Sequence, residues 1–294
     1  MVQAERGTFT NKRNQTISTV SYLPENVHRP KAVLFFHHGY GEHIGRYERV
    51  HRELAEAGIA VYGYDHHGHG LSEPKDPRDR ALVHDFNNLV DDSEEFAKLM
   101  RQRHSPDTRC IAAGQSMGGL IATHLVLRDQ SAWAGLILCS AAIDVEWNLV
   151  LRLQAPIGGL LATLLPRAKI VPAVPLENLS NDPQVVKHFA EDPLNFVGDV
   201  RARTANEILK GFRDVQRKEA LLRVPILAIH GTADKITSYT AVKRLLAAAA
   251  STDKELREFP GGYHELLMGP EKEEAAKTLK DWILKHCPEP EAKL

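Results

Sequence analysis

The sequence has few cysteines and no long apolar run. Only three of its 294 residues are cysteine, Cys110, Cys139 and Cys287, and they lie far apart. This spacing excludes a disulfide framework and predicts buried, reduced thiols. No stretch reaches the roughly 18 apolar residues of a membrane span, and the N-terminus lacks the apolar segment of a signal peptide. We therefore expect a cytoplasmic protein without a transmembrane helix.

The sequence also lacks an excess of charge of either sign. Its 37 lysines and arginines and 38 acidic residues leave a formal net charge of -1, and the basic residues are scattered. A nucleic acid partner is not expected, because phosphate binding requires a basic patch. Nothing indicates an obligate protein partner. The 43% of hydrophobic residues is enough for one large α/β domain that carries an insertion.

Short β-rich runs alternate with amphipathic helical segments along most of the chain. The apolar run 32–36 is expected to be an internal strand, and the spacing over 117–128 predicts a helix. This alternation predicts a mostly parallel, doubly wound sheet with helices on both faces. The pattern stops after residue 142. We predict a core of residues 1–142 and 214–294 and an inserted helical cap of residues 143–213.

The motif with the most specific context is Gly114-Gln115-Ser116-Met117-Gly118. It lies between an expected strand, 108–113, and the expected helix. A serine at such a strand-to-helix turn has a strained backbone, and the glycines let the two elements pass closely. The turn lifts the hydroxyl into a cleft and places the Met117 N–H at a helix N-terminus, where it can stabilise an oxyanion. Ser116 is therefore the predicted nucleophile.

A serine hydroxyl requires a base, and the base requires an orienting acid. Asp234 follows the expected strand 224–230, and His264 follows the last expected strand. Because the carboxyl ends of parallel strands meet at one edge of a sheet, both residues are expected to converge on Ser116. Asp144, which follows the strand after the nucleophile helix, is an alternative acid. We favour Asp234 because its turn delivers it directly from a strand end.

The loop His37-His38-Gly39-Tyr40-Gly41 is expected to supply the second oxyanion donor. It follows the strand that ends in Phe36, and its glycines allow the backbone to approach a substrate closely. We assign the N–H of Tyr40 to this role. Its main chain is therefore expected to matter more than its side chain.

The same loop resembles part of a dinucleotide-binding motif. Gly39-Tyr40-Gly41 follows a strand and opens a helix, and Asp65 lies at the next strand end. The spacing does not fit, because the third glycine is Gly45 where the motif requires it at Ile44. A dinucleotide site also leaves the serine, aspartate and histidine motifs unexplained.

Metal binding is a second alternative, because the chain has 15 histidines and the run Asp65-His66-His67-Gly68-His69 is rich in ligand types. Consecutive histidines on a short loop point in different directions. No H-E-x-x-H helix or paired cysteine motif accompanies them. We therefore expect no metal site here, but a hydrogen-bonded turn that supports the active site.

Taken together, these motifs resemble the monoacylglycerol lipase and lysophospholipase branch of the serine hydrolases, which have the α/β-hydrolase fold. The resemblance covers nearly the whole chain and extends into the predicted cap. The matching segments are His37 to His43, Gly45-Arg46-Tyr47, Asp65 to Gly70, Gly114 to Gly119, Leu179 to Pro183, Asp192-Pro193-Leu194 and Gly231 to Asp234.

This resemblance implies hydrolysis of a single acyl ester, with the cap forming an apolar tunnel for the acyl chain. It implies that Glu42 and Arg46 organise the entrance to the oxyanion loop and the polar head pocket. Animal members carry a tyrosine in the cap and a histidine shortly after the catalytic histidine, where this chain has Phe189 and Leu267. Loss of these polar contacts is expected to weaken selection for a glyceryl head. Lysophospholipids, phenolic esters and short-chain esters stay open as substrates.

The expected reaction is acyl transfer through an acyl-enzyme on Ser116, with a small-molecule or lipid ester as substrate and without a cofactor. The apolar segment 149–166 is expected to line the tunnel, with weak peripheral membrane contact; a lid that docks on membranes is the alternative. A ligand-binding receptor or pseudoenzyme of the same fold is the alternative of another class. Fluorophosphonate labelling followed by ester turnover distinguishes enzyme from receptor.

Overall fold

An eight-stranded sheet forms the centre of the molecule. The structure is a computed structural model that describes residues 2, 4–25, 29–144 and 158–288. Within the large sheet the strand order is β1-β2-β4-β3-β5-β6-β9-β10. The first two junctions are antiparallel and the others are parallel. The strands of the described residues are β1 (Ala4–Thr10), β2 (Thr16–Tyr22), β3 (Ala32–His37), β4 (Ile59–Tyr64), β5 (Cys110–Gln115), β6 (Gly135–Cys139), β7 (Lys169–Val171), β8 (Val200–Arg201), β9 (Ile226–Gly231) and β10 (Lys254–Phe259).

Helices cover both faces of this sheet. Along the described ranges the α-helices, including those of the chain between β6 and β9, are α1 (Glu48–Glu56), α2 (Phe86–Arg101), α3 (Met117–Arg128), α4 (Gly158–Leu164), α5 (Pro183–Glu191), α6 (Ala202–Lys218), α7 (Tyr239–Ala248) and α8 (Lys272–His286). None of them combines the length and the apolar composition required to cross a bilayer. The predicted mostly parallel α/β architecture, the α/β-hydrolase fold, is confirmed.

The central strands are apolar because both of their faces are buried. All six residues of β3 are buried, and adjacent side chains point to opposite faces of the sheet. Phe35 packs in one core, with Leu120 of α3, and Phe36 packs in the other, with Leu279 of α8. Continuous apolar strands are expected for a parallel sheet covered on both sides. This arrangement brings the carboxyl ends of β3, β5 and β9 to one edge of the sheet.

The chain between β6 and β9 leaves the large sheet. Strands β7 and β8 form a separate antiparallel pair, and α4, α5 and α6 accompany them. Helix α6 continues from Ala202 to Lys218, so it passes the predicted boundary at residue 213 without a break. Residues 145–157, which include the first part of the predicted apolar segment 149–166, lie outside the described residues. The cap boundaries stay a prediction.

Candidate active site

Ser116 lies at the turn between β5 and α3, in an unusual backbone conformation. Its φ of 51° and ψ of -120° are strained for a residue with a side chain. Neighbouring backbone groups hold this conformation. The N–H of Ser116 donates to Cys139 O at 3.0 Å, and the N–H of Ala142 donates to Ser116 O at 2.9 Å. The turn faces a cavity, and the serine is partly exposed there.

The glycines on either side of Ser116 are required by close packing. A Cβ atom at Gly114 would lie 2.2 Å from the carbonyl carbon of Gly118. A Cβ atom at Gly118 would lie 2.0 Å from the carbonyl oxygen of His37. Both distances are far below van der Waals contact, so a larger residue would push strand and helix apart. The predicted reason for these glycines therefore agrees with the packing.

Asp234 and His264 meet beside the same cavity. The Nδ1 atom of His264 lies 2.8 Å from Asp234 Oδ2, and both side chains are buried. The other carboxylate oxygen, Oδ1, accepts the N–H groups of Ile236 at 2.8 Å and Thr237 at 3.1 Å. The Thr237 hydroxyl lies 2.8 Å from Oδ2. A single tight loop therefore fixes the carboxylate that faces the imidazole.

The pKa values of this pair shift in the directions expected of an ion pair. Burial raises the pKa of Asp234, but His264 and His230 lower it more, so the pKa lies well below its usual value. Burial lowers the pKa of His264, but Asp234, with smaller contributions from Glu265 and Glu42, raises it more, so the net pKa is above 6.5. His230 contributes from β9, with its Nε2 3.3 Å from Asp234 Oδ2. The arrangement favours a positively charged imidazole at the moment it accepts a proton.

The alternative acid, Asp144, has different neighbours. Its carboxylate accepts a hydrogen bond from Gln216 at 3.0 Å, and its carbonyl accepts the N–H of Ser238. Asp234 is the carboxylate in contact with His264. The geometry therefore favours Asp234 over Asp144 as the orienting acid.

The loop after β3 presents a backbone donor near Ser116. A Cβ atom at Gly39 would lie only 3.1 Å from the Ser116 Cβ, so the two main chains are close together. Within the described residues, the N–H groups of Tyr40 and Met117 have no hydrogen-bond partner. Two unpaired donors beside a serine are what an oxyanion hole requires.

The histidines of this region hydrogen-bond to the backbone of the loop. The Nδ1–H of His38 donates to Gly39 O at 2.7 Å, which leaves Nε2 to accept the N–H of His66 at 2.9 Å. The Nε2–H of His66 donates back to His38 O at 3.1 Å. Burial lowers the pKa of His66 and His69 to about 3. In the described part of the chain, no group of three or more His, Cys, Asp or Glu side chains could hold a metal ion.

A buried cluster of charged side chains stands behind this loop. Glu42 accepts the N–H of Gly39 at 2.5 Å and the hydroxyl of Tyr47 at 2.6 Å. Arg46 donates to Glu42, and its two terminal nitrogens lie 3.3 Å from the two carboxylate oxygens of Glu265. Sequence reasoning missed Glu265. Its signal was weak: an acid directly after the predicted catalytic histidine, in an otherwise apolar segment.

Residues of the predicted cap contact the loop after β3. The N–H of Phe196 donates to Gly41 O at 2.7 Å, and His43 Nε2 lies 2.9 Å from Asp192 Oδ2. The guanidinium of Arg46 lies 4.7 Å from the ring centroid of Phe189. These contacts place α5 and the segment after it over the active site.

A cavity of about 460 Å³ connects these parts. Ser116, Met117, Tyr40, Glu42, His264 and Glu265 line it, and aliphatic and aromatic side chains form most of the rest of its lining. The wall residues include Ile170, Val174, Leu179, Phe189, Phe196, Leu209 and Phe212. Such an apolar cavity with few polar groups at one end is typical of a small-molecule or lipid site.

The two positions predicted to replace polar head-group contacts lie in different places. Phe189 lines the cavity, as expected of a substrate contact. Leu267 does not line it. This residue is 2% exposed and packs in the sheet core with Phe259 and Leu279. The expected substrate contact at Leu267 is therefore corrected, because its side chain packs in the core of the sheet and does not reach the cavity.

Comparison with known proteins identifies the family. The family model described as serine aminopeptidase, S33, matches residues 28–271. The monoacylglycerol lipase of Mycolicibacterium smegmatis is 30% identical over 87% of this chain and 89% of its own length. The human monoglyceride lipase is 31% identical over 81% of this chain and 76% of its own length.

The structural comparison agrees on the fold. A soluble variant of the Saccharomyces cerevisiae monoglyceride lipase, solved with a substrate analog, aligns with a TM-score of 0.82 at 19% identity, over 96% of this chain and 94% of that chain. The resemblance to monoacylglycerol lipases inferred from the sequence motifs is confirmed by the sequence relatives. With most of its length matched by one family model, the chain belongs to the serine aminopeptidase S33 family of serine hydrolases.

Proposed function

We propose that this protein is a carboxylic ester hydrolase that cleaves monoacylglycerols or similar single-acyl lipids. Ser116 is the nucleophile, His264 the general base and Asp234 the acid that orients it. The N–H groups of Tyr40 and Met117 form the oxyanion hole. Glu42 and Phe189 contact the substrate around the polar end of the cavity, and Arg46, whose side chain does not line the cavity, holds Glu42. The names of the sequence relatives and the apolar walls of the cavity support this substrate class.

The reaction has two halves. His264 takes the hydroxyl proton as Ser116 attacks the ester carbonyl, and the two N–H groups receive the developing oxyanion. The alcohol leaves with the proton from His264. Water then attacks the acyl-enzyme by the same route and releases the fatty acid. Asp234 keeps the Nδ1 proton in place, so Nε2 is the nitrogen that exchanges protons.

One observation carries this proposal. The strained serine turn and the buried His264–Asp234 pair belong to elements separated by more than a hundred residues, yet Ser116 and His264 border one apolar cavity. Strain of this kind persists only where surrounding structure imposes it, and it concentrates at functional sites.

The first experiment measures release of fatty acid from 1-monoacylglycerols by the purified protein. We expect turnover with the wild-type protein and a loss of about 10⁴-fold or more in kcat with Ser116→Ala. A fluorophosphonate probe is expected to label the wild-type protein and not this variant. Labelling without turnover of any ester would favour a receptor or pseudoenzyme. Normal turnover by Ser116→Ala would refute the proposal.

A substrate series then tests the head group. Monoacylglycerol, lysophospholipid, a phenolic ester and p-nitrophenyl esters of graded chain length are compared by kcat/KM. Phe189 offers an apolar face and no hydrogen bond, so we expect less discrimination between alcohols than between acyl chains. The family description makes an aminoacyl p-nitroanilide a useful further substrate. Preferential cleavage of this amide would contradict an ester hydrolase.

We also propose a cytoplasmic protein that makes weak peripheral contact with membranes through its cap. The three cysteines are buried and unpaired, which suits a reducing compartment. Leu160 and Leu164 of α4 are 63% and 67% exposed. Binding to neutral vesicles is compared between the wild type and Leu164→Asp, with Leu99→Asp on α2 as the matched control. We expect the first change alone to weaken binding, and equal binding by all three proteins would remove the membrane contact.

A further inference from the structure

We propose that Glu265 is a positioning residue which, through Arg46 and Glu42, locks the loop that carries His264 to the loop that carries the Tyr40 N–H. The inference rests on the proposed function, because it concerns how the same two loops are held during ester hydrolysis. The family resemblance assigned no role to this residue.

The connection consists of direct contacts between buried groups. Glu265 follows His264 immediately in the chain and is 4% exposed. Its carboxylate faces both terminal nitrogens of Arg46 at 3.3 Å, in a bidentate arrangement. Arg46 also donates to Glu42, which accepts the N–H of Gly39 at 2.5 Å. Four links therefore join the base to the oxyanion loop.

The last link ends at Gly39, the residue that precedes the Tyr40 N–H. Gly39 is held on both sides, because its N–H donates to Glu42 and its C=O accepts from His38 at 2.7 Å. The peptide between Gly39 and Tyr40 is planar, so its N–H points away from its C=O. Fixing the carbonyl toward His38 therefore fixes the opposite direction for the Tyr40 donor. A shift of Glu42 would release the peptide on the other side of the Gly39 Cα, and Gly39 and the donor that follows it would then be held by the His38 contact alone.

The cluster also places two carboxylates against one guanidinium; burial raises the pKa of Glu265, and the charge of Arg46 opposes that rise. A buried excess of negative charge favours an imidazolium nearby, and it adds to the effect of Asp234 on the other side of the ring. Glu265 and Glu42 both raise the pKa of His264, after the larger contributions of burial and Asp234. Charged and titratable groups from two parts of the chain surround the His264 ring and Glu265. From β9 and the loop after it come His230, Asp234 and Lys235, and from the segment after β3 come Glu42, Arg46 and Tyr47. The hydroxyl of Ser116 borders the same cavity.

The experiment measures kcat, KM and the pH profile of kcat/KM on a p-nitrophenyl ester for Glu265→Gln. The variant retains the Glu42–Arg46 ion pair, so the buried cluster becomes neutral and stays paired. We expect kcat to fall about tenfold with little change in KM, because a positioning loss acts on the transition state. The acidic limb of the profile is expected to move to lower pH, since one negative charge near the imidazolium is removed.

Two further variants separate position from charge. Glu265→Asp keeps the charge but withdraws the carboxylate from Arg46, so kcat is expected to fall while the acidic limb stays in place. If the Glu265→Gln protein does not fold, the Glu265→Asp protein is used in its place. Arg46→Gln, alone and with Glu265→Gln, completes a double-mutant cycle. If Glu265 acts through Arg46, its removal has no further effect on kcat in the Arg46→Gln background.

The matched control is Glu255→Gln, which removes the same charge from an exposed position of β10. It is expected to leave kcat and the pH profile unchanged. The positioning role would be overturned if Glu265→Gln had the same kcat and pH profile as Glu255→Gln. Additive losses of kcat in the double-mutant cycle would also overturn it. A wild-type protein that hydrolyses no ester would instead refute the proposed function, so the two failures are distinguishable.

Discussion

The two sides of Ser116 are held in different ways. On the acid–base side, the Asp234 carboxylate is fixed mainly by Ile236 and Thr237, which lie within three residues of it. On the oxyanion side, the Gly39 peptide is fixed by side chains such as Glu42, which in turn depend on charges from a distant loop. The first side is built within one loop, whereas the second, although Glu42 is only three residues from Gly39, also depends on the tertiary contact between Arg46 and Glu265. Substitutions that act on one side only can test this difference.

The largest effect is expected from removing the acid itself. Asp234→Asn keeps the shape of the loop but loses the charge that selects the His264 tautomer, so kcat is expected to fall about 10⁴-fold. Asp144→Asn is the matched control, because its carboxylate hydrogen-bonds to Gln216. Steady-state kinetics of both variants decide between the two acids. A greater loss with Asp144→Asn would reverse the assignment.

A smaller loss is expected on the oxyanion side from Gly39→Ala. The new Cβ atom would lie 2.8 Å from Glu42 Oε1 and 3.1 Å from Ser116 Cβ, so the loop must move. Displacing one oxyanion donor costs about 10² to 10³ in kcat. Gly7→Ala on β1, where the new atom makes an ordinary 3.4 Å contact with Thr19, is the control. Unchanged kcat in the Gly39 variant would show that this loop does not stabilise the oxyanion.

Removing one local hydrogen bond on the acid–base side is expected to cost less. Thr237→Val deletes the hydroxyl 2.8 Å from Asp234 Oδ2 and keeps the backbone donor to Oδ1. A hydrogen bond to a charged group contributes about 1.5 to 3 kcal/mol, so we expect a loss of about 10- to 100-fold in kcat/KM. Thr278→Val, whose hydroxyl bonds to an exposed helix carbonyl, serves as control. Equal activity of both variants would contradict a supporting role for Thr237.

The pH dependence gives the smallest expected effect. His264 must be neutral to act as a base, and its pKa is raised because Asp234, Glu265 and Glu42 together outweigh burial. Activity is therefore lost as pH falls through a pKa above 6.5, so the acidic half-point of kcat/KM is expected above that value. Asp234→Asn is expected to shift the half-point downward in its residual activity. A wild-type half-point below 6.5 would show that burial dominates.

Much of the fold was predictable because the sheet and helix periods are strong here. Helix 117–128 has the predicted bounds, and the strand predicted at 32–36 is Ala32–His37. The strand predicted at 108–113 is Cys110–Gln115 in the structure, because parallel pairing with β3 and β6 extends it into the glycine of the motif. Local propensity ends a strand at glycine, whereas backbone pairing with two neighbours continues it.

The candidate site was predictable where a motif and a strand end coincide. Ser116, Asp234 and His264 each follow a strand of the parallel sheet, so their chain order was enough to place them together. Glu265 and His38 were not assigned roles, because their contacts come from residues 28 to 219 positions away. Leu267 was placed by alignment alone, and side-chain direction decided otherwise.

The sequence by itself determined the alternation of apolar strands and helices, the glycines around Ser116 and the residues at the strand ends, because these depend on local sterics and short periodicities. Only the tertiary structure decided which carboxylate contacts His264, which way the Gly39 peptide faces and that Arg46 lies between two buried acids. Those features depend on distances between elements far apart in the chain, and burial makes each unpaired charge costly enough to fix the arrangement.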